Sequence, residues 1–259
     1  GMILAIDQGT TNTKAILVDD EGRPVAEASR AAGIAFPRPG WVEQDPREIW
    51  MSVVDAVAEC LSTAGRPCIA AVAISNQRES AVAWDRRTGE PIGPLVSWQC
   101  RRGSARCDAL RREGWAERIL QRTGLTLDPM FSASKIAWLL DHCPDGRGRA
   151  ANGEICVGTV DSWLLWNLTA GRVHRCDLTN ASRTLLFDLH ALDWDDELLE
   201  AFGVPRAALP ELAYSSAHFG AVEALGSLAG APVGAMIGDS HGAMYAHGRH
   251  DPGTVKATY

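Results

Sequence analysis

The sequence predicts an α/β domain whose mixed sheet opens as a β-meander. Two patterns predict it: three strand-like segments separated by turns precede the first helix signal, and a helix then leads into a nearly continuous apolar run. A doubly wound fold would place a helix directly after its first strand, so that topology is excluded.

Residues 3–6 read as a short apolar strand and residues 14–18 as a second, with a polar Gly/Thr turn between them. A third strand over residues 24–29 follows the turn Asp19-Asp20-Glu21-Gly22. Asp45-Pro46-Arg47-Glu48 supplies an N-cap, a proline at the first helical position and a reciprocal acid. Ile49, Trp50, Val53, Val54, Val57 and Leu61 continue that helix at helical spacing. Residues 69–74 form an apolar run expected of a strand buried on both faces, and the polar Ser75-Asn76-Gln77-Arg78-Glu79 stands at its carboxyl end. Open α/β sheets bind their ligands at such ends.

The stretch 101–142 reads as a helical insertion broken at Gly114, Gly124 and Asp128-Pro129. A strand over 155–160 then leads into a helix capped by Asp161 and rich in Trp163, Leu164, Leu165 and Trp166. Residues 233–237 form a strand ending at Gly238-Asp239, with a small-residue helix beginning at Ser240. Residues 254–259 read as a strand cut short.

The chain has 259 residues, with 25 Lys+Arg against 32 Asp+Glu and a net charge of −7. That balance argues against a groove for nucleic acid built on bulk basicity. No apolar run reaches the roughly 18 residues of a membrane span, and the N-terminus lacks a leader pattern, so a cytoplasmic protein with no membrane partner is expected. The seven cysteines (60, 68, 100, 107, 143, 156 and 176) include no Cys-x-x-Cys pair and read as reduced thiols that mostly fill the core. Gly1 ahead of Met2 reads as a tag remnant.

Four segments carry candidate chemistry. Asp7-Gln8-Gly9-Thr10-Thr11-Asn12-Thr13-Lys14 joins two strands, and its backbone N–H groups, hydroxyls and Lys suit phosphate while its carboxylate suits Mg2+. The same segment also reads as a plain polar turn, and it has no Walker A pattern. Arg78 offers a donor fork and Glu79 an acceptor, a pair suited to a neutral polyol; a surface ion pair is the other reading. Trp98 offers a flat apolar wall for a sugar, or is one of nine tryptophans filling space. Asp239 stands at a strand end beside a helix N-terminus, as a base for a substrate hydroxyl or as a simple cap. His241 and His247 lie nearby and read as structural.

Together these segments resemble the amino-terminal half of the FGGY carbohydrate kinases, and within them the glycerol kinases. The resemblance rests on Ala5-Ile6-Asp7-Gln8-Gly9-Thr10-Thr11, Pro39-Gly40-Trp41-Val42-Glu43-Gln44-Asp45-Pro46, Ser75-Asn76-Gln77-Arg78-Glu79, Trp98-Gln99-Cys100-Arg101-Arg102, Gly158-Thr159-Val160-Asp161, Thr179-Asn180-Ala181-Ser182-Arg183-Thr184 and Gly238-Asp239, all in order along the chain. It implies an actin-like, ribonuclease-H-like fold with helices on both sheet faces, ATP and Mg2+ held between two such domains, and a small polyol or sugar against the first.

By position the resemblance makes Asp7 the metal carboxylate, turns Thr10, Thr11, Asn12 and Lys14 toward the ATP phosphates, gives Arg78, Glu79 and Trp98 to the substrate, and makes Asp239 the catalytic base. Three positions depart from the glycerol kinases. Met130 stands where they carry Tyr, Ser240 where they carry Gln, and Lys14 where they carry Arg. Met130 and Ser240 therefore join the substrate-binding candidates, and a ketopentose remains open beside glycerol.

The resemblance also makes residues 2–259 the substrate-binding domain and leaves a carboxy-terminal nucleotide-binding domain outside this chain. Alone, the chain is expected to bind substrate or Mg2+ weakly and to turn over negligibly. A non-catalytic sugar-binding module and a chaperone-type ATPase are the other readings; the first needs neither Asp7 nor Asp239, and the second needs no polyol constellation. A homo-oligomer is left open.

Overall fold

The meander forms as the sequence predicts. In the computed structural model, which describes residues 1–246, 248 and 251–257, β1 (Met2–Gln8) pairs antiparallel with β2 (Asn12–Val18), and β2 pairs antiparallel with β3 (Pro24–Ala31). Period-2 alternation sets the faces: Leu4, Ile6, Ala15 and Leu17 are buried while Ile3 and Asp7 are exposed. The Asp19 carboxylate accepts from the Glu21 and Arg23 amides and closes the second turn, at whose end Gly22 supplies a φ of 77°.

A two-residue strand, β4 (Glu43–Gln44), precedes α1 (Pro46–Thr63). Asp45 caps α1 by accepting from the Arg47 amide, but Glu48 does not close the reciprocal half of the box; its carboxylate turns toward Gly33. Ile49, Val53, Ala56, Val57 and Cys60 bury one stripe of α1 against the sheet.

β5 (Ile69–Asn76) then enters parallel to β1. It is covered fully on one face only: Val72, Ile74 and Asn76 are buried, while Ala71, Ala73 and Ser75 are half-buried. An apolar run alone does not separate these two cases, because alanine suits either.

Next come β6 (Ala81–Asp85) and β7 (Leu95–Val96), then α2 (Ser104–Arg112), α3 (Trp115–Thr123), α4 (Ser132–Asp141) and α5 (Gly146–Ala151), and then β8 (Ile155–Thr159). Gly114 and Gly124 bound α3 in the left-handed region, as their sequence positions suggest. β4, β7, β6 and β8 form a second, four-stranded sheet.

α6 (Val160–Leu168) is buried almost all round and packs Trp163, Leu164 and Leu168 into the core on the same sheet face as α1. Trp163 donates its indole N–H to the Pro46 carbonyl and so ties α6 to the start of α1. The α6 N-cap is Thr159, not Asp161: the Asp161 carboxylate instead accepts from the Thr159 hydroxyl and the Asp177 amide.

The chain continues through β9 (Arg175–Asp177), the single turn α7 (Leu178–Ala181), the hairpin of β10 (Phe187–Asp188) with β11 (Asp193–Trp194), and α8 (Asp196–Phe202). β12 (Glu211–Ala213) pairs parallel with β9, and β13 (Ser216–Ala221) leads back to the main sheet. β14 (Pro232–Gly238) lies parallel to β5, completing the six-stranded order β13-β14-β5-β1-β2-β3. α9 (Asp239–Ala246) starts one residue earlier than its sequence suggests and meets the second sheet face, with Gly242 against Ile237 and Ser75.

All seven cysteines are free, and every one but Cys68 is buried, as their scatter suggests. Residues 254–257 form no strand; the rest of that sequence expectation, residues 258 and 259, and His247 lie outside the described residues. Among the described residues no helix is long and apolar enough to cross a membrane.

Candidate active site

Three parallel strand ends build the site. Asp7 stands opposite Ser75 and Ser75 opposite Ile237, while Gln8, Asn76 and Gly238 form the next rung. The register therefore brings the residues that follow β1, β5 and β14 to one edge of the sheet.

On one side lies the β1–β2 hairpin. Its turn closes with the Gly9 amide donating to the Asn12 carbonyl at 2.8 Å. A Cβ at Gly9 would stand 3.2 Å from that carbonyl, a tight approach, so glycine suits the turn by its size rather than by a positive φ. A buried amide network fixes the hairpin from below. Gln77 donates to Gln8 at 2.9 Å and to Gln44 at 3.1 Å, Gln44 donates to the Thr10 carbonyl at 2.9 Å, and Ser80 donates to Gln77 at 2.7 Å. Buried polar groups bonded on several sides in this way rigidify their surroundings.

Trp98 joins that network from the loop after β7. Its backbone amide donates to Ser80 Oγ at 3.0 Å, and its indole N–H donates to Thr10 Oγ1 at 2.9 Å. The hairpin and the aromatic wall are thus one unit. Thr11 and Asn12 are exposed on the turn, and Lys14 forms an ion pair with Glu27 of β3 at 3.4 Å.

The middle of the site comes from the end of β5. Arg78 Nε lies 3.9 Å from Glu79 Oε1 and 3.7 Å from Asp239 Oδ1, and its Nη1 lies 3.3 Å from His241 Nδ1. His241, read from the sequence as a structural neighbour of this site, is thus in direct contact with Arg78. Burial, then the Arg78 charge, lower its pKa, so the neutral ring is favoured.

Glu79 is 6% exposed and receives Arg183 Nε at 2.7 Å. Its φ of 66° lies in the left-handed region, a strained choice for a side-chain-bearing residue. Two bonds hold it there, one from Arg183 and the other from Ser132 Oγ to the Glu79 carbonyl at 2.8 Å.

Met130 lies two residues before Ser132 and is half-buried. Its carbonyl and that of Pro129 accept from Lys135 Nζ, whose burial lowers its pKa to about 8. The intervening Phe131 lies under the Arg183 guanidinium, 4.9 Å from ring centre to Cζ.

The far side is Asp239, the first residue of α9, 43% exposed at its side chain. The Ser240 amide donates to Asp239 Oδ1 at 2.7 Å. A Cβ at Gly238 would meet Arg78 Cδ at 2.7 Å, so a side chain there would have to displace Arg78.

Asp7 faces the same cleft: crowding by the surrounding chain, and then the Asp239 charge, raise its pKa, against the opposing Ser75 hydrogen bond and Lys14 charge. No cluster of three or more His, Cys, Asp or Glu side chains able to hold a metal occurs among the described residues. A lone strand-end carboxylate is still the donor set Mg2+ takes when phosphates supply the other ligands.

The structure thus gathers Asp7, Arg78, Glu79 and Asp239 at one edge, with Thr10 and Trp98 joined beside them. Arg183, Thr179, Asn180, Gln8 and Gln77 complete the surroundings without having been singled out as site residues. All five lie in the segments that carry the family resemblance, which is the signal the sequence offers for them.

The fold is that of a carbohydrate kinase domain. It superposes on the Plasmodium falciparum glycerol kinase crystal structure with ADP at a TM-score of 0.92 and 31% identity, covering 95% of this chain and 50% of that one. A glycerol kinase of Alkalilimnicola ehrlichii is 47% identical over 259 residues, 99% of this chain and 52% of its own. An apulose kinase of Pectobacterium atrosepticum is 48% identical over 261 residues, 100% of this chain and 53% of its own. The chain belongs to the FGGY family of carbohydrate kinases, whose N-terminal domain model matches residues 2–244. It spans about half the length of the curated relatives it matches.

Proposed function

We propose that this chain is the substrate-holding domain of an ATP-dependent kinase that phosphorylates a hydroxyl of glycerol or a similar small polyol or ketose. The observation that carries the reading is the position of Arg78, within 4 Å of both Glu79 and Asp239. A donor fork, an acceptor and a candidate base face one spot at the strand ends.

In this reading Arg78 donates to substrate oxygens, Glu79 accepts from substrate hydroxyls, and Trp98 covers the carbon skeleton. Asp239 accepts the proton of the reacting hydroxyl as its oxygen bonds to the γ-phosphorus and the bond to the nucleotide diphosphate breaks. Asp7 would hold Mg2+, and the hairpin from Thr10 to Lys14 would face the phosphates. Bound Mg2+ supplies neutralisation of the charge on the transferring group. The nucleotide's remaining contacts would come from a second domain like that in the longer relatives.

Two residues bear on substrate choice. Met130 offers no phenolic donor, and Ser240 is shorter than the Gln of glycerol kinases, so these two positions would change the hydrogen bonds offered to a substrate. With glycerol kinases and an apulose kinase both among the relatives, a ketose stands as the alternative to glycerol. A panel of glycerol and ketoses on the full-length protein, read as kcat/KM ratios, tests this; equal failure with every polyol and sugar would refute the kinase reading.

A further inference from the structure

Beneath the strand ends lies a carboxylate that the proposed chemistry does not use. Asp177 is fully buried and accepts five hydrogen bonds. They come from the Thr179 amide (3.1 Å) and hydroxyl (2.6 Å), the Asn180 amide (3.0 Å) and side chain (2.7 Å), and the Ser215 hydroxyl (2.7 Å).

These bonds orient two groups toward the active edge. Asn180 exchanges side-chain hydrogen bonds with Asn76, at 2.8 and 3.2 Å. The Thr179 hydroxyl, having given its single proton to Asp177, only accepts, and it accepts from the Gly238 amide at 2.9 Å. Asn76 and Gly238 are register partners at the ends of β5 and β14. One buried carboxylate thereby locks the two strand ends that carry Arg78 and Asp239.

We propose that Thr179, oriented by Asp177, is a positioning residue for phosphoryl transfer: its hydroxyl pins the Gly238 amide and so fixes the Asp239 carboxylate relative to Arg78. This rests on the reading of Asp239 as the base. Gly238 couples the two groups because it precedes Asp239 directly and the Arg78 side chain packs against it, where a Cβ would stand 2.7 Å from Arg78 Cδ. Displacement of a reacting group by about 1 Å costs on the order of 10²-fold in rate.

The test compares Thr179→Val, which keeps the shape and removes the hydroxyl, with Thr179→Ser, which restores the hydroxyl. In Thr179→Val the Gly238 amide should exchange with solvent about fivefold faster or more, as expected for loss of one hydrogen bond. In the full-length protein kcat should fall about 10- to 100-fold with the polyol KM changed by less than about threefold, and Thr179→Ser should recover most of both effects. Unchanged Gly238 exchange, an undiminished kcat, or a loss confined to KM would each overturn the proposal. Wild-type protein that phosphorylates no polyol or sugar would refute the kinase reading instead, a failure told apart by the exchange measurement, which needs no turnover.

Discussion

Asp7 and Asp239 stand at the ends of β1 and β14 with β5 alone between them, and the Asp239 charge helps to raise the Asp7 carboxyl above its ordinary pKa. Crowding by the chain is the larger cause. An NMR titration should therefore place Asp7 above 3.8, and Asp239→Asn should lower it by removing a like charge. Added Mg2+ should lower it too, since a bound cation favours the ionised form. An Asp7 titration indifferent to Asp239→Asn would separate the two residues electrostatically.

Glu79 depends on Arg183. With Glu79 6% exposed and Arg78 Nε 3.9 Å away, the 2.7 Å bond from Arg183 is its close charged contact. Arg183→Met should destabilise the protein by about 3 kcal/mol, because a buried carboxylate loses its near partner. Adding Glu79→Gln should return part of that loss. Urea denaturation of the two single variants and the double variant measures the coupling.

Trp98 anchors the β1–β2 turn through Thr10, and in the proposed site it would also be a wall for substrate. Trp98→Phe keeps the wall and loses the anchor, so kcat/KM should fall about fivefold, the value of one hydrogen bond. Trp98→Ala should cost clearly more. Equal effects of the two substitutions would assign the residue to anchoring alone.

The buried Asp161 gives the domain a pH signature. Desolvation, and then the neighbouring Asp177, push its carboxyl up to about 7. Between its ordinary value of 3.8 and about 7 the folded chain holds a proton that the unfolded chain has released, so this stabilising contribution is lost as pH rises through about 7. His174 acts in the opposite sense: burial lowers it to about 3, and its contribution is lost as pH falls below 6.5. The difference in melting temperature between Asp161→Asn and wild type isolates the first group. It should shift in favour of Asp161→Asn between pH 5 and pH 8, values on either side of the Asp161 pKa.

The local signals were readable where a short segment decides its own conformation. The three-strand opening, the Asp45-Pro46 start of α1 and the glycine breaks around α3 depend on neighbours in sequence, and they form as expected. Asp161 was misread as a cap because its carboxylate is drawn inward by the Asp177 amide, a partner that arrives only with β9. Arg183 and Asn180 show no role in their local sequence for the same reason: each meets its partner across 104 positions of chain. The half-open face of β5 was missed because the sheet's second layer is met by α9, which the apolar pattern of β5 cannot report.

The proposed chemistry turns on Asp239 taking the proton from a hydroxyl held by Arg78 and Glu79. Its most direct test is Asp239→Asn in the full-length protein, measuring kcat with the preferred polyol alongside polyol affinity by calorimetry. In that variant kcat should fall about 10²- to 10⁴-fold, the usual contribution of a positioned base, while affinity changes by less than about threefold. Turnover near the wild-type value in Asp239→Asn would contradict it.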